Sequence, residues 1–248
     1  MSGGLDTLRG WAHGALLYFL LFGLGLASVV WNLVAVLLYP LLPAAHGQAL
    51  GRAAISHSYR FFWTVAQRVG MMRIDFAALE PLRNARGGLV IAANHPSMLD
   101  ALLIVACLPR SVCIMKAALM GNIFLGAGAR LARYIRNDSA RSMIRGAVES
   151  LRDGAQLVVF PEGTRTISPP LNPFMPGVTL IAHLAQVPIQ TVIIETDSSY
   201  LGKGWPIWRA PPIPVRFTLR LGARFAPQAD HAALSDRLEH YFRQELAR

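Results

Sequence analysis

Residues 87–108 read GGLVIAANHPSMLDALLIVACL. Two glycines precede an unbroken apolar run, the mark of a strand buried on both faces. A polar turn, NHPS, interrupts it, and a longer apolar segment follows that is long enough for a helix and carries a proline suited to a first helical turn. The same alternation continues outward in both directions. Upstream, HGQALGRAAISHSYRFFWTVAQRVG (46–70) reads as a helix and MRIDFA (72–77) alternates with period two as a strand. Downstream, SVCIMK, ARYIRND, AQLVVF, VPIQTVIIET and PVRFTLRLG read as strands. Between them stand the helices SARSMIRGAVESLRDG and GVTLIAHLAQ, with DHAALSDRLEHYFRQEL closing the chain. Ser139 is a candidate N-cap, and Gly154 lies past the end of its helix. Strands alternating with helices predict an α/β fold, a mixed and mostly parallel sheet covered by helices. The loose stretch is 196–214, rich in Gly, Pro and Trp.

The chain has 248 residues, of which 53% are hydrophobic and 15% charged. An ordinary soluble domain carries about 25% charged residues, so this chain is apolar for its size, and a disordered chain is excluded. The net charge is +10, almost all of the cations being arginine. That calls for an anionic partner: nucleic acid, a membrane surface or a phosphorylated substrate. The distribution of apolar residues chooses among them. Residues 14–45, GALLYFLLFGLGLASVVWNLVAVLLYPLLPAA, contain no charge and exceed the ~18 residues of a membrane-span candidate. They also exceed the ~7–15-residue core of a secretory signal peptide, and no strong basic cluster precedes them. As one helix the run is roughly 48 Å long, against ~30 Å of hydrocarbon. Two readings stay open: one tilted span ending near Pro40, or two shorter helices bent within 28–32 that enter and leave one leaflet. Arg52, Arg60, Arg68 and Arg73 follow the run and only Arg9 precedes it. This bias predicts the inner (cytoplasmic) membrane, with the rest of the chain facing the cytoplasm. The expected organisation is a membrane-anchoring helical segment over 1–46 and a catalytic domain over 47–248. Tyr59, Phe62 and Trp63 belong either to the membrane interface or to the core.

Two turns carry chemistry. In ANHPSMLD, His95 stands at the mouth of a strand-to-helix turn, where open α/β sheets place their ligands, and Asp100 follows five residues later. An imidazole folded back on that carboxylate has its tautomer fixed and becomes a general base for a hydroxyl. In LVVFPEGTRT, Glu162 and Arg165 flank a glycine turn at another strand terminus. Backbone N–H groups and a forked guanidinium there make a seat for a phosphate.

NHPSMLD followed about 60 residues later by FPEGTRT resembles the glycerolipid acyltransferase family, which includes the lysophosphatidic acid (1-acylglycerol-3-phosphate) acyltransferases. Its four blocks occur in order: H-x4-D as His95 and Asp100; an arginine after an aromatic-aliphatic pair as Arg136 in YIRND; F-P-E-G-T-R as residues 160–165; and a proline opening a hydrophobic strand as Pro188. The resemblance extends loosely over residues 50–225. It implies a membrane-bound enzyme of phospholipid biosynthesis that moves a fatty acyl group from an acyl thioester, acyl-CoA or acyl-ACP, to a hydroxyl of a lysophospholipid-like acceptor. His95 would take the hydroxyl proton and Asp100 would hold His95. Glu162 and Gly163 would position the acceptor, with Thr164 and Pro188 among the substrate-binding positions, and Arg136 and Arg165 would bind its phosphate. The donor thioester is a substrate; neither a metal nor another cofactor is required. The implied partners are membrane lipids and the carrier of the acyl group, coenzyme A or acyl carrier protein, and not nucleic acid.

Two departures from the family pattern keep other acceptors open, a lyso-aminolipid or a specialised hydroxylated acyl product. NPFMPGVTL has Met175 and Pro176 before Gly177 where many members carry basic residues, and SSYLGKGWPIWRAPPIP is elaborate for a minimal enzyme of this kind. A non-catalytic lipid-binding protein is the alternative of another class, but it has no use for His95 and Asp100 together. Serine hydrolase and zinc hydrolase readings lack their motifs. Cys107 and Cys113 cannot form a disulfide framework and read as buried thiols. The remaining histidines have no partner pattern.

Overall fold

The computed structural model describes residues 2–247, with side chains from residue 13 onward. The side chain of Arg9, counted in the charge asymmetry, lies outside the described residues. The elements run α1 (Ser2–Leu41), α2 (Ala44–Arg68), β1 (Met72–Asp75), α3 (Glu80–Arg83), β2 (Leu89–Ala93), α4 (Asp100–Cys107), β3 (Ser111–Lys116), α5 (Gly126–Leu131), β4 (Ile135–Asn137), α6 (Ala140–Arg152), β5 (Gln156–Val159), α7 (Gly177–Ala185), β6 (Ile189–Thr196), β7 (Val215–Phe225) and α8 (His231–Leu246).

The seven strands form one sheet in the order β1-β7-β6-β2-β5-β3-β4. Every pairing is parallel except the antiparallel β6–β7 pair. The sheet is therefore mixed and mostly parallel, as expected. Its central strands are buried on both faces. Ile91, Ala93, Val158, Val192 and Ile194 point into one core with α2 and α4. Val90, Ala92, Leu157, Val159, Ile189 and Ile193 point into the other with α6, α7 and α8. This two-sided burial is why 89–93 carries no polar residue. Ser139 caps α6 by accepting the N–H of Ser142, and Asp230 caps α8 by accepting that of Ala233.

The connection after β2 leads toward β3, whereas that after β5 passes β2 to reach β6. The C-terminal ends of β2 and β5 are thus a topological switch point, where a crevice opens above the sheet. His95 follows β2 and Glu162 follows β5.

The N-terminal apolar run is one unbroken helix. The expected alternative of a bend within 28–32 is corrected, and Asn32 shows why. Its amide N–H groups donate to Ser28 O (2.8 Å) and Phe124 O (2.7 Å), and its oxygen accepts from Ala127 and Gly128 N–H (2.7 and 3.0 Å). The polar residue that looked like a break is a cap supplied from another element to the first turn of α5. The helical break comes instead at Leu42 and Pro43, so the expected 46/47 boundary falls inside α2.

The inner side of α1 packs along the domain through Leu17, Trp31, Ala35 and Leu38. Its outer side exposes Phe19, Phe22, Leu26, Val30, Leu33 and Leu37, a stripe at helical spacing. Residues 13–41 are long and apolar enough to cross a membrane by length and composition. The aromatics of α2 divide in an unexpected way. Phe62 and Trp63 are core, with the Trp63 indole donating to Leu102 O, while Phe61 is the exposed ring.

Candidate active site

β2 ends because Asn94 replaces strand pairing with a side chain. Its amide donates to Ile194 O (2.8 Å) and accepts from Ile194 N–H (2.7 Å), which locks the end of β2 to β6 and turns the chain away. His95 is thereby lifted to the rim of the crevice. The segment after it is not yet helix: α4 begins at Asp100, four residues later than the proline rule predicts. Side-chain bonds hold residues 97–99 in a turn ahead of the helix. Ser97 N–H donates to Asp100 Oδ2 (2.8 Å), while the Ser97 hydroxyl accepts from Leu99 N–H and donates to Tyr200 O. Asp100 is the first helical residue, and its carboxylate faces back beneath His95.

His95 Nδ1 lies 2.9 Å from Asp100 Oδ2. Asp100 is fully buried and His95 is 17% exposed by its side chain. An ionised carboxylate only accepts, so Nδ1 carries the proton and Nε2 presents its lone pair to the crevice. Burial pushes the Asp100 carboxyl up to about 6, against the opposing pull of His95 and of the Ser97 N–H. Its other oxygen, Oδ1, is buried without a protein partner, which is part of that cost. The Phe160 ring stacks on the imidazole at 3.9 Å and 16°. Carboxylate, stacked ring and backbone thus hold the imidazole in one orientation.

Glu162 ties the two turns together. It is buried, and both oxygens are taken by the protein: Oε1 accepts from His95 N–H (2.9 Å) and the Thr166 hydroxyl, and Oε2 from that hydroxyl and Asn172 N–H (2.9 Å). It is a clamp joining the two turns, reinforced by Thr166 N–H donating to His95 O (2.8 Å).

Gly163 is exposed with φ +67°, a backbone conformation that favours glycine. Arg165 commits one terminal nitrogen to Leu201 O and Gly202 O (2.8 and 2.9 Å). Thr164 lies 3.5 Å from Lys203 Nζ. Arg136, on β4, is exposed and paired with Asp138 at 3.0 Å. It stands three strands from β2, about 14 Å at ~4.8 Å per strand. Pro188 is at the far end of the sheet: its carbonyl accepts Val90 N–H, some five strand residues below His95, about 17 Å. It immediately precedes β6.

Residues 73–195 match the family model described as Acyltransferase. The chain belongs to the acyltransferase family. Among similar proteins, a 1-acyl-sn-glycerol-3-phosphate acyltransferase of Cocos nucifera is 25% identical over 229 residues, covering 86% of this chain and 67% of that one. The alpha form from Homo sapiens is 30% identical over 158 residues, covering 61% and 56%. The chain thus spans about half to two thirds of the length of these relatives. The crystal structure of the 1-acyl-sn-glycerophosphate (LPA) acyltransferase PlsC from Thermotoga maritima superposes with a TM-score of 0.72 at 19% identity, over 97% of this chain and 96% of that one, which shows a shared fold.

Several residues of this acyltransferase's site escaped the sequence reading. Asn94, Ser97 and Phe160 stand inside the quoted motifs, and their polar or aromatic type at a strand end was the available signal. Asn172, Tyr200 and Leu201 reach the site from loops whose course no periodicity reports. Cys107 and Cys113 are free thiols whose ionisation burial pushes up to about 12, so neither is poised as a nucleophile.

Proposed function

We propose that this acyltransferase moves a fatty acyl group from an acyl thioester, on coenzyme A or acyl carrier protein, to the free hydroxyl of a 1-acylglycerol-3-phosphate-like acceptor. The observation that carries the reading is the His95 Nδ1–Asp100 pair, with Nε2 open to the crevice at the switch point. Nε2 takes the hydroxyl proton as the acceptor oxygen attacks the thioester carbonyl. A tetrahedral adduct forms and collapses, the C–S bond breaks, and the imidazolium returns its proton to the departing thiolate. The products are an ester and a thiol, with no acyl-enzyme. Asp100 stabilises the imidazolium in between. Gly163, Thr164 and Arg165 line the acceptor's side of the crevice. The relatives' names support this acceptor class.

The lipid substrate is met at the inner membrane, with the domain on the cytoplasmic side. The apolar stripe of α1 supports this. So do the exposed Ile207 and Trp208, on a loop whose Ala210 lies against Gly14, and Ile123 and Phe124, of which Phe124 lies against Gly25.

The test is transfer by purified His95→Ala with oleoyl donors and lysophosphatidic acid. Loss of a general base costs about 10²–10⁴-fold in rate. Turnover close to wild type in a folded, membrane-associated variant overturns the mechanism.

A further inference from the structure

Beside His95 lies a cavity of about 440 Å³, between the loop after β5 and the loop after β6. Its floor includes Pro96 and Thr166, the chain neighbour of His95 and the residue bonded to its carbonyl. Its wall is residues 198–206, and Lys203 and Arg209 both line it, with no carboxylate among the lining residues. Neither cation has an acidic partner among the described residues. Lys203 leans toward the Thr164 hydroxyl, and the Arg209 guanidinium lies over the Trp205 ring at 4.9 Å. The loop that carries them is tied to both motifs. Ser97 bonds Tyr200 O, Met98 N–H bonds Leu201 O, and Arg165 bonds Leu201 O and Gly202 O.

A walled concavity with two uncompensated cations, opening beside the general base, fits an anion of small size. We propose that it seats a phosphate ester carried by one of the two substrates, with Lys203 and Arg209 as its cations and Arg165 as the residue that positions their loop. The inference rests on the acyl-transfer reading above and adds residues that the family resemblance does not supply.

The experiment uses the full chain in vesicles, comparing wild type with Lys203→Ala/Arg209→Ala. Acceptors are 1-oleoylglycerol 3-phosphate and 1-oleoylglycerol; donors are oleoyl-CoA and the phosphate-free oleoyl-N-acetylcysteamine. The double variant is expected to raise KM for a phosphate-bearing substrate about tenfold while leaving its phosphate-free counterpart unchanged. A selective loss with the acceptor pair assigns the cavity to the acceptor phosphate, and one with the donor pair to the donor. The wild-type KM should rise with salt and that of the double variant should not, and Lys203→Arg should recover most of the affinity. Equal changes with and without phosphate, or none, overturn the proposal. Binding is read separately as the thermal shift given by glycerol 3-phosphate and by coenzyme A, each against glycerol. If no substrate pair is turned over, the acyl-transfer reading falls, while a phosphate-dependent shift lost in the double variant still upholds the cavity. Absence of such a shift in wild type sinks it.

Discussion

Asp100 makes the stability of this fold and its proposed activity respond to pH in opposite directions. Its carboxyl, pushed up to about 6 by burial, keeps a proton in the folded protein that the unfolded chain releases near 4. Between those values the native state binds more protons, so this group's contribution to stability falls as pH rises from 4 to 6 and its full cost is present above 6. The proposed reaction needs the ionised form and should fail as pH drops through about 6. Asp100→Asn is therefore expected to flatten the pH dependence of the melting temperature across this window, a change of roughly 2–3 kcal/mol. Its rate should be low at every pH. Parallel melting and rate profiles check both. Glu162 predicts another pattern. With Gln in its place, an amide N–H faces the Asn172 N–H, two donors together, so Glu162→Gln should cost about 1–3 kcal/mol of stability along with activity. His95→Ala should spare stability. Denaturation of the two variants side by side separates the clamp from the base.

Among the elements, α1 and α5 depend on one another. Asn32→Leu removes the acceptor for two amides and leaves them buried, an expected loss of about 2–4 kcal/mol measured by denaturant unfolding in detergent. Gly128 is the matching position on α5, since a Cβ there would sit 2.6 Å from Trp31 Nε1. Gly128→Ala should therefore move α1 or destabilise its seat. At this scale the sequence was most informative where one rule governed. Two-faced burial made 89–93 and 156–159 readable as central strands, and Ser139 stood where a cap belongs. It was least informative where a side chain served a distant element. Asn32 in an apolar run reads as a flaw in a helix until the amides of residues 127 and 128 are known. Glu162 in a motif reads as a ligand group until Asn172 is found on its other oxygen. The His95–Asp100 pair was legible because its members are five residues apart, and the Lys203 loop was not, because nothing local ties it to Thr164.

Over the whole molecule, the outer side of α1 with Ile207 and Trp208 forms an apolar surface on the side of the domain where α1 packs, and Trp208 is 78% exposed. An arginine at the centre of a lipid-facing helix costs about 2.5–3.5 kcal/mol, so Leu26→Arg should weaken vesicle association by about two decades. Flotation against anionic vesicles measures this, and unchanged flotation would remove α1 as the lipid contact. Deleting residues 1–45 should do more than release the protein. It uncovers the partners of Leu17, Trp31 and Ala35 and leaves α5 uncapped, so aggregation is the expected outcome on gel filtration.

The cap on α5 also sets an order of events during synthesis. α1 leaves the ribosome before α5, for the amides that Asn32 serves lie 95 and 96 residues further along the chain. Until they emerge, the nascent helix has an amide with no permanent partner beyond its own backbone and an apolar surface on every side. If α1 is the lipid contact proposed above, the chain meets lipid before it has a fold, and the crevice is completed around a helix already seated there.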